Sequence, residues 1–193
     1  DPSFGIDTEN DKITIDDEEI KLHEHIYLMM NKPQHTISSN KDGEHQTVFD
    51  LLDDSFKTPY LQDKLHLVGR LDMDTEGLLL FTTDGELTHR LISPKSHISK
   101  TYLCCLEHSE TDEHQKEITQ LFEKGIEVGP EDNDEGFLCE PAFIKWINDS
   151  TAHLTIYEGK YHQVKRMVVA VGNKIAFLKR ISMGQLLLDE NLG

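Results

Sequence analysis

Apolar residues in this chain come in short blocks whose spacing changes along its length. Tyr27 to Met30 (YLMM) is a continuous apolar run that reads as a buried strand, closed by NKP, where Pro33 blocks further regular pairing. Thr47 to Leu52 (TVFDLL) predicts a short helix, and the polar stretch Asp53 to Lys64 a loop. Leu65 to Val68 leads into GRLD, and Gly77 to Thr82 leaves it as an apolar strand of the fully buried type. Thr83 and Glu86 have capping-box spacing, which predicts a helix from Gly85 to Leu91 that stops before Pro94.

Ser99 to Leu106 (SKTYLCCL) predicts the next strand. In Thr111 to Lys124 the apolar Ile118, Leu121 and Phe122 stand at i, i+3 and i+4 among acids, with Gly125 at the C-terminal end, the pattern of a solvated surface helix. Phe137 to Ile147 and Ala152 to Tyr157 read as two strands meeting at the turn NDS. Within EGKYHQVKRMVVAVGN, Val164, Met167, Val168 and Val171 share one helical face, closed by Gly172, and His162, Lys165 and Arg166 begin the opposite side. Ile175 to Met183 and Leu186 to Leu188 supply final strands. Strands and helices mix without regular βαβ alternation, so an α+β domain on a mixed, largely antiparallel sheet flanked by helices is expected.

Residues 1 to 24 are polar, with one alternating stretch, KITIDDEEI, that reads as a strand and turn without a core of its own. The chain of 193 residues is long enough to bury a core without disulfides. No run of about 18 apolar residues is available for a membrane span, and DPSFGIDTEN lacks the regions of a signal peptide, so cytoplasmic residence is expected. Cys104, Cys105 and Cys139 are an odd number with an adjacent pair, which fits reduced, structural thiols.

A net charge of −17 argues at first against a phosphate-rich partner. Its distribution reverses that. Residues 1 to 24 hold nine acids against two bases, and residues 107 to 140 hold twelve against two, leaving fifteen of each elsewhere. Residues 159 to 188 contain Lys160, Lys165, Arg166, Lys174, Lys179 and Arg180 and no acid, enough for a basic face inside an acidic protein.

Asp72 is the singular carboxylate. It lies in a loop just ahead of an apolar strand, where a group losing water either pairs with a cation and stays ionised or takes up a proton and serves as an acid. An ordinary turn aspartate is the alternative. The eleven histidines are scattered without zinc-site spacing or cysteine partners, as His23 with His25 and His108 with His114 illustrate. GRLDMDTEG is neither of the glycine-rich phosphate loops. No metal and no cofactor are expected.

GRLDMDTEGLLLFTTDG, SKTYL and EGKYHQVKRM, in that order and with NKP upstream, resemble the motifs of the RsuA-type pseudouridine synthases over about residues 25 to 188. YHQVKRM with KTYL resembles the members acting on small-subunit RNA, where those acting on large-subunit RNA typically read GRNRxVRR. The resemblance implies the pseudouridine synthase fold and an isomerase that converts a specific uridine of 16S ribosomal RNA, of the uridine-516 type, to pseudouridine without a cofactor. Ribosomal RNA, free or in an assembling particle, is the implied partner, with no membrane and a monomeric state. It also implies that residues 25–193 are the catalytic domain and residues 1–24 the trailing edge of an N-terminal S4 RNA-binding domain. At the position of His35 the family usually has glycine, so that loop is expected to differ.

By the same resemblance Asp72 is catalytic, Lys165 is the cation that keeps it ionised with Arg166 as fallback, and Tyr102 stacks on the uracil of an extruded nucleotide. Strand alternation turns Lys100 to the same side as Tyr102. Arg70 is expected to hold a phosphate or help unstack the target, with a salt bridge to Asp74 or Glu76 as alternative. His162 and Gln163 either contact base or backbone or cap the helix start. Lys160, Lys174, Lys179 and Arg180 are the expected phosphate track. Two other readings remain open: a non-catalytic RNA-binding or ribosome-assembly module, and an N-glycosidic hydrolase in which Asp74 or Glu76 is the second carboxylate across the bond.

Overall fold

The computed structural model describes residues 13–15, 18–20 and 25–192. Strands β1 (Ile13–Ile15) and β2 (Glu18–Ile20) pair with each other antiparallel, as KITIDDEEI suggested. The main sheet is built from β3 (Tyr27–Lys32), β4 (His66–Leu67), β5 (Glu76–Thr82), β6 (Lys100–Leu106), β9 (Phe143–Trp146), β10 (Thr151–Ile156), β11 (Ile175–Met183) and β12 (Leu186–Leu187). Its order is β3-β5-β11-β6-β10-β9, with β4 against β5 and β12 against β11. Every pairing is antiparallel except β5 with β11, which fits the expected mixed, largely antiparallel α+β arrangement.

Leu79, Phe81, Tyr102, Cys104, Leu154, Ile156, Val164, Met167 and Leu178 share one continuous core between sheet and helices. Among the described residues four α-helices accompany the sheet: α1 (Pro59–Lys64), α2 (Gly85–Ile92), α3 (Asp112–Lys124) and α4 (Gln163–Ala170). Short strands β7 (Glu127–Val128) and β8 (Phe137–Leu138) pair separately and bracket the acidic loop between them.

Several local expectations change. Thr47 to Leu52 is a turn, not a helix, because the Asp50 carboxylate accepts from both the backbone N–H and the hydroxyl of Thr47 and folds the segment on itself. Asp53 to Lys64 is not all loop: Thr58 caps α1 by accepting from Leu61 N, and Pro59 stands in its first turn. Asp84, not Thr83, caps α2; the Thr83 hydroxyl accepts from Ile26 N instead. The predicted strand Phe137 to Ile147 is two strands separated at Pro141, which has no N–H for a ladder. β3 is a half-buried edge strand, with Tyr27 exposed and Lys32 fully buried at its end.

Gly77, at φ 104°, is required where β5 runs parallel to β11, because a Cβ there would lie 2.2 Å from the carbonyl oxygen of Arg180. Among the described residues no helix is long and apolar enough to cross a membrane. All three cysteines are free, and burial pushes the Cys139 thiol up to about 11.

Candidate active site

The loop that carries Asp72 is fixed through its main chain from β3 and the segment after it. Lys32 Nζ donates to the carbonyls of Thr75 (2.9 Å), Asp72 (3.0 Å) and Pro33 (3.1 Å), and more weakly to that of Met73. Ser38 Oγ donates to Leu71 O at 2.6 Å and accepts from Leu71 N at 3.1 Å. His35 N donates to Met73 O at 2.8 Å. His35 itself lies at φ 63°, in the left-handed region that favours glycine. A histidine therefore occupies a glycine-type turn, at a conformational cost of about 1 kcal/mol. With its backbone so held, Asp72 can aim its carboxylate without relying on its own packing.

Lys32 itself is a buried ammonium. Desolvation pulls its pKa down from 10.5 to about 8, against the opposing pull of Asp72, Asp74 and Glu76.

Helix α4 brings the cation. His162, at φ 48°, sits at its N-cap position but makes no side-chain cap bond. Lys165, one turn on, places Nζ 2.8 Å from Asp72 Oδ2 and 2.6 Å from Asp74 Oδ1. Burial works against the charge on Lys165, but hydrogen bonds and charge from the two aspartates more than offset it and raise its pKa above the ordinary lysine value. For Asp74, burial likewise opposes ionisation, and the Lys165 contact prevails and holds its carboxyl low.

These groups open on a cavity of about 230 Å³ lined by Arg70, Asp72, Lys100, Tyr102, Lys160, His162, Gln163, Lys165, Leu178 and Arg180, among others. Residues 70 to 72, 100 to 102 and 160 to 165, far apart in the chain, thus share one wall system. Tyr102 is 8% exposed and shares the buried face of β6 with Lys100, as alternation required, while Arg180 on β11 stands opposite Tyr102 in register. Arg70 is exposed at the rim and makes no salt bridge to Asp74 or Glu76 among the described residues.

The remaining predicted residues divide. Lys160 reaches the rim and is held by Glu158 (2.8 Å) and Leu138 O (3.0 Å). Gln163 is buried and donates to Glu158 Oε1 at 2.6 Å, while its own Oε1 accepts from Lys160 N, so its polar groups close the start of α4. Arg166 is not on a solvated face: it donates to the carbonyls of Gly129, Glu135 and Tyr161 and stacks over Phe137. Lys174 is exposed beyond α4 and does not line the cavity. Lys179 lies beside Glu76 in the β5–β11 register, outside the cavity lining, while Arg180 turns inward. The continuous basic track expected from residues 159 to 188 is therefore broken up, with two of its arginines buried.

His162 joins two regions. Its Nε2 is 3.7 Å from Asp72 Oδ1, its Nδ1 is 3.1 Å from Glu131 Oε2, and its ring stacks on Tyr161, whose hydroxyl donates to Asp132. Lys32, which holds the carbonyls of the Asp72 loop, is the site-supporting residue that sequence reasoning missed. In the sequence NKP reads as the end of a strand and as part of the family resemblance, with no role for the Lys32 side chain.

Chemically the site offers a carboxylate paired with an ammonium, a flat aromatic wall and a concave space beside them. Asp74 shares the Lys165 ammonium with Asp72 but is not among the residues that line the cavity. Among the described residues no group of three or more potential metal ligands occurs.

A sequence profile of RNA pseudouridylate synthases matches residues 26–170. Over 192 residues the chain is 43% identical to an uncharacterized RNA pseudouridine synthase of Bacillus subtilis, covering 97% of this chain and 74% of that protein. It is 45% identical over 174 residues to ribosomal small subunit pseudouridine synthase A of Vibrio cholerae, covering 90% and 70%. A crystal structure of a pseudouridylate synthase matches with a TM-score of 0.76 at 38% identity, over 99% of this chain and 76% of that one. A chain of a Cbf5–Nop10–Gar1 complex matches with a TM-score of 0.60 at 17% identity, over 86% and 51%, a likeness of fold alone.

Proposed function

The chain belongs to the RNA pseudouridylate synthase family, and we propose that it isomerises one uridine of small-subunit ribosomal RNA, of the uridine-516 type, with Asp72 as the group that acts on the ribose. The observation that carries this reading is the 2.8 Å ion pair between Asp72 and Lys165 at the wall of a cavity faced by Tyr102. Pseudouridine formation breaks the N1–C1′ bond, turns the freed uracil within the pocket and rejoins it through C5, so it needs an anionic group at the sugar and a space that retains the base. Asp72 supplies the first, whether as nucleophile or as base. Lys165 pairs with it at 2.8 Å, and the buried Tyr102 ring offers the apolar plane on which an extruded pyrimidine stacks.

Choice of small-subunit RNA follows the Vibrio cholerae relative, whose name states that target. In this reading the rim cations Arg70 and Lys160 meet the nucleotides flanking an extruded base. Residues 25–193 act as the catalytic domain of a cytoplasmic monomer in this reading, with residues 1–24 as the edge of an S4 domain. Asp74 and Glu76 do not line the cavity beside Asp72, which counts against a hydrolase using either as a second carboxylate across the scissile bond.

The test incubates the protein and an Asp72→Asn variant with unmodified small-subunit RNA and maps pseudouridine by carbodiimide treatment and primer extension. New stops with the wild type alone are expected. Stops only in large-subunit RNA would overturn the substrate, released uracil would overturn the isomerase, and no change with either RNA would leave a binding module.

A further inference from the structure

Two cations deep in the cavity, Lys100 and Arg180, form no ion pair with its acids among the described residues. Lys100 is 9% exposed and its Nζ makes one hydrogen bond, to Ile98 O at 3.2 Å. Arg180 is 2% exposed, and of its guanidinium only Nε has a protein acceptor, Leu78 O at 2.8 Å; Nη2 is buried without a partner. Neither forms a salt bridge among the described residues, whereas Lys160, Lys165 and Arg166 around them are paired with carboxylates or carbonyls. Desolvation, and then the neighbouring Arg180 charge, push the Lys100 pKa down. Both residues line the cavity and flank Tyr102, Lys100 two positions away on β6 and Arg180 opposite it on β11.

Like charges buried together are unfavourable until something negative arrives between them. Arg70 and Lys160 at the rim suit a hydrated phosphodiester, which the RNA backbone holds outside. What enters beyond them is the base. When N1–C1′ breaks, the bonding electron pair leaves with the base, so the detached uracil carries a negative charge spread over N1, O2 and O4. Bonding of C5 to C1′ uses that electron pair and removes the charge, and loss of the C5 proton with uptake of one at N1 then completes pseudouridine without a further change of charge.

We propose that Arg180 and Lys100 are further catalytic residues, which donate to the carbonyl oxygens of the extruded uracil and stabilise the uracil anion formed on glycosidic cleavage. Charge that develops only in the transition state is where preorganised donors act most strongly. The inference rests on the isomerase reading above.

The experiment uses small-subunit RNA carrying either uridine or 5-fluorouridine at the mapped position, with wild type, Arg180→Met, Arg180→Lys and Lys100→Met. Single-turnover conversion of the target nucleotide is followed by nuclease digestion and mass spectrometry, and RNA binding is measured at two salt concentrations. Arg180→Met is expected to lose about 10²- to 10³-fold in rate on uridine with its Kd little changed. On 5-fluorouridine, whose base is the better leaving group, that loss should shrink by at least about ten-fold in a rate set by cleavage. Lys100→Met should behave the same way to a smaller extent, and Arg180→Lys should recover part of the rate.

Equal losses on both nucleotides, or weaker binding with a shallower salt dependence, would make these residues phosphate contacts and overturn the proposal. Unimpaired variants would also overturn it. Should Arg180→Met not fold by circular dichroism, the comparison rests on Arg180→Lys and Lys100→Met. A wild type that converts neither RNA would instead sink the isomerase reading itself.

Discussion

Two loops meet the start of α4, and both carry clustered acids, yet they are held in opposite ways. The loop with Asp72 and Asp74 has its carbonyls gripped by Lys32 and its carboxylates by Lys165. The loop of residues 129 to 136 has its carbonyls gripped by Arg166, while its carboxylates Glu131 and Asp132 touch only His162 and Tyr161 near the surface. A cation on main-chain oxygen fixes a loop's course. A cation on side-chain oxygen fixes a charge, and only the first loop has both.

The sharpest way to break this contrast is at Asp72. Asp72→Asn keeps the size of the side chain and leaves the Lys32 contacts, which are to main chain, intact. Turnover on the substrate RNA should fall by at least about 10⁴-fold, as when a reacting group is removed, with unchanged urea unfolding. Retention of activity in that variant would dissolve the difference between the loops.

Adjacent residues on α4 sharpen it next. Lys165→Met should lower kcat by about 10²- to 10³-fold with a small effect on stability, because one cation leaves two partly solvated acids. Arg166→Met removes the donor to three carbonyls and should instead cost about 2–4 kcal/mol in urea unfolding, with a smaller fall in activity. The opposite pattern would mean that Arg166, not Lys165, serves the carboxylates.

The grip of Lys32 can be read by pH. Its pKa of about 8 lies below the ordinary 10.5, so between those values the unfolded chain holds a proton that the folded chain has released. Stability supplied through this group therefore rises with pH across that window, and it is at its lowest below pH 8, where both states are protonated. Urea unfolding at about pH 7.5 and pH 9.5 should show the wild type gaining on the order of 1–2 kcal/mol relative to Lys32→Met. A flat difference would place the ammonium in water.

How much of this was legible in the sequence depended on whether the deciding contact was local. The strand through Leu78 to Phe81, the apolar face of α4 and the meeting of Asp72 with Lys165 followed from runs, periodicity and motif resemblance. α1 was missed although Thr58 before Pro59 is a helix-start signal, because its few apolar residues gave no period. Thr47 to Leu52 failed the other way: its apolar residues looked helical, and one hydrogen-bonding aspartate outweighed them. Lys32 reads as a strand end, Arg166 as a fallback cation for Asp72 and Arg180 as a phosphate contact, since their acceptors are carbonyls up to 102 positions distant. No local pattern marks a basic residue that will be buried on main-chain oxygen.

The smallest effect expected lies at the acidic loop's own carboxylates. Asp132 is exposed and accepts one hydrogen bond, from Tyr161, which raises that phenol's pKa mainly through the bond itself. Asp132→Asn keeps an acceptor, and the loop's course is set by Arg166, so unfolding should shift by less than about 0.5 kcal/mol. Activity at moderate salt should stay within about two-fold and rise slightly at low salt, because one negative charge near the proposed RNA-binding rim is removed. A larger loss of activity, measured beside Asp72→Asn under the same conditions, would mean that the surface acids act on the reaction through Tyr161 and His162. The two loops would then be one electrostatic unit.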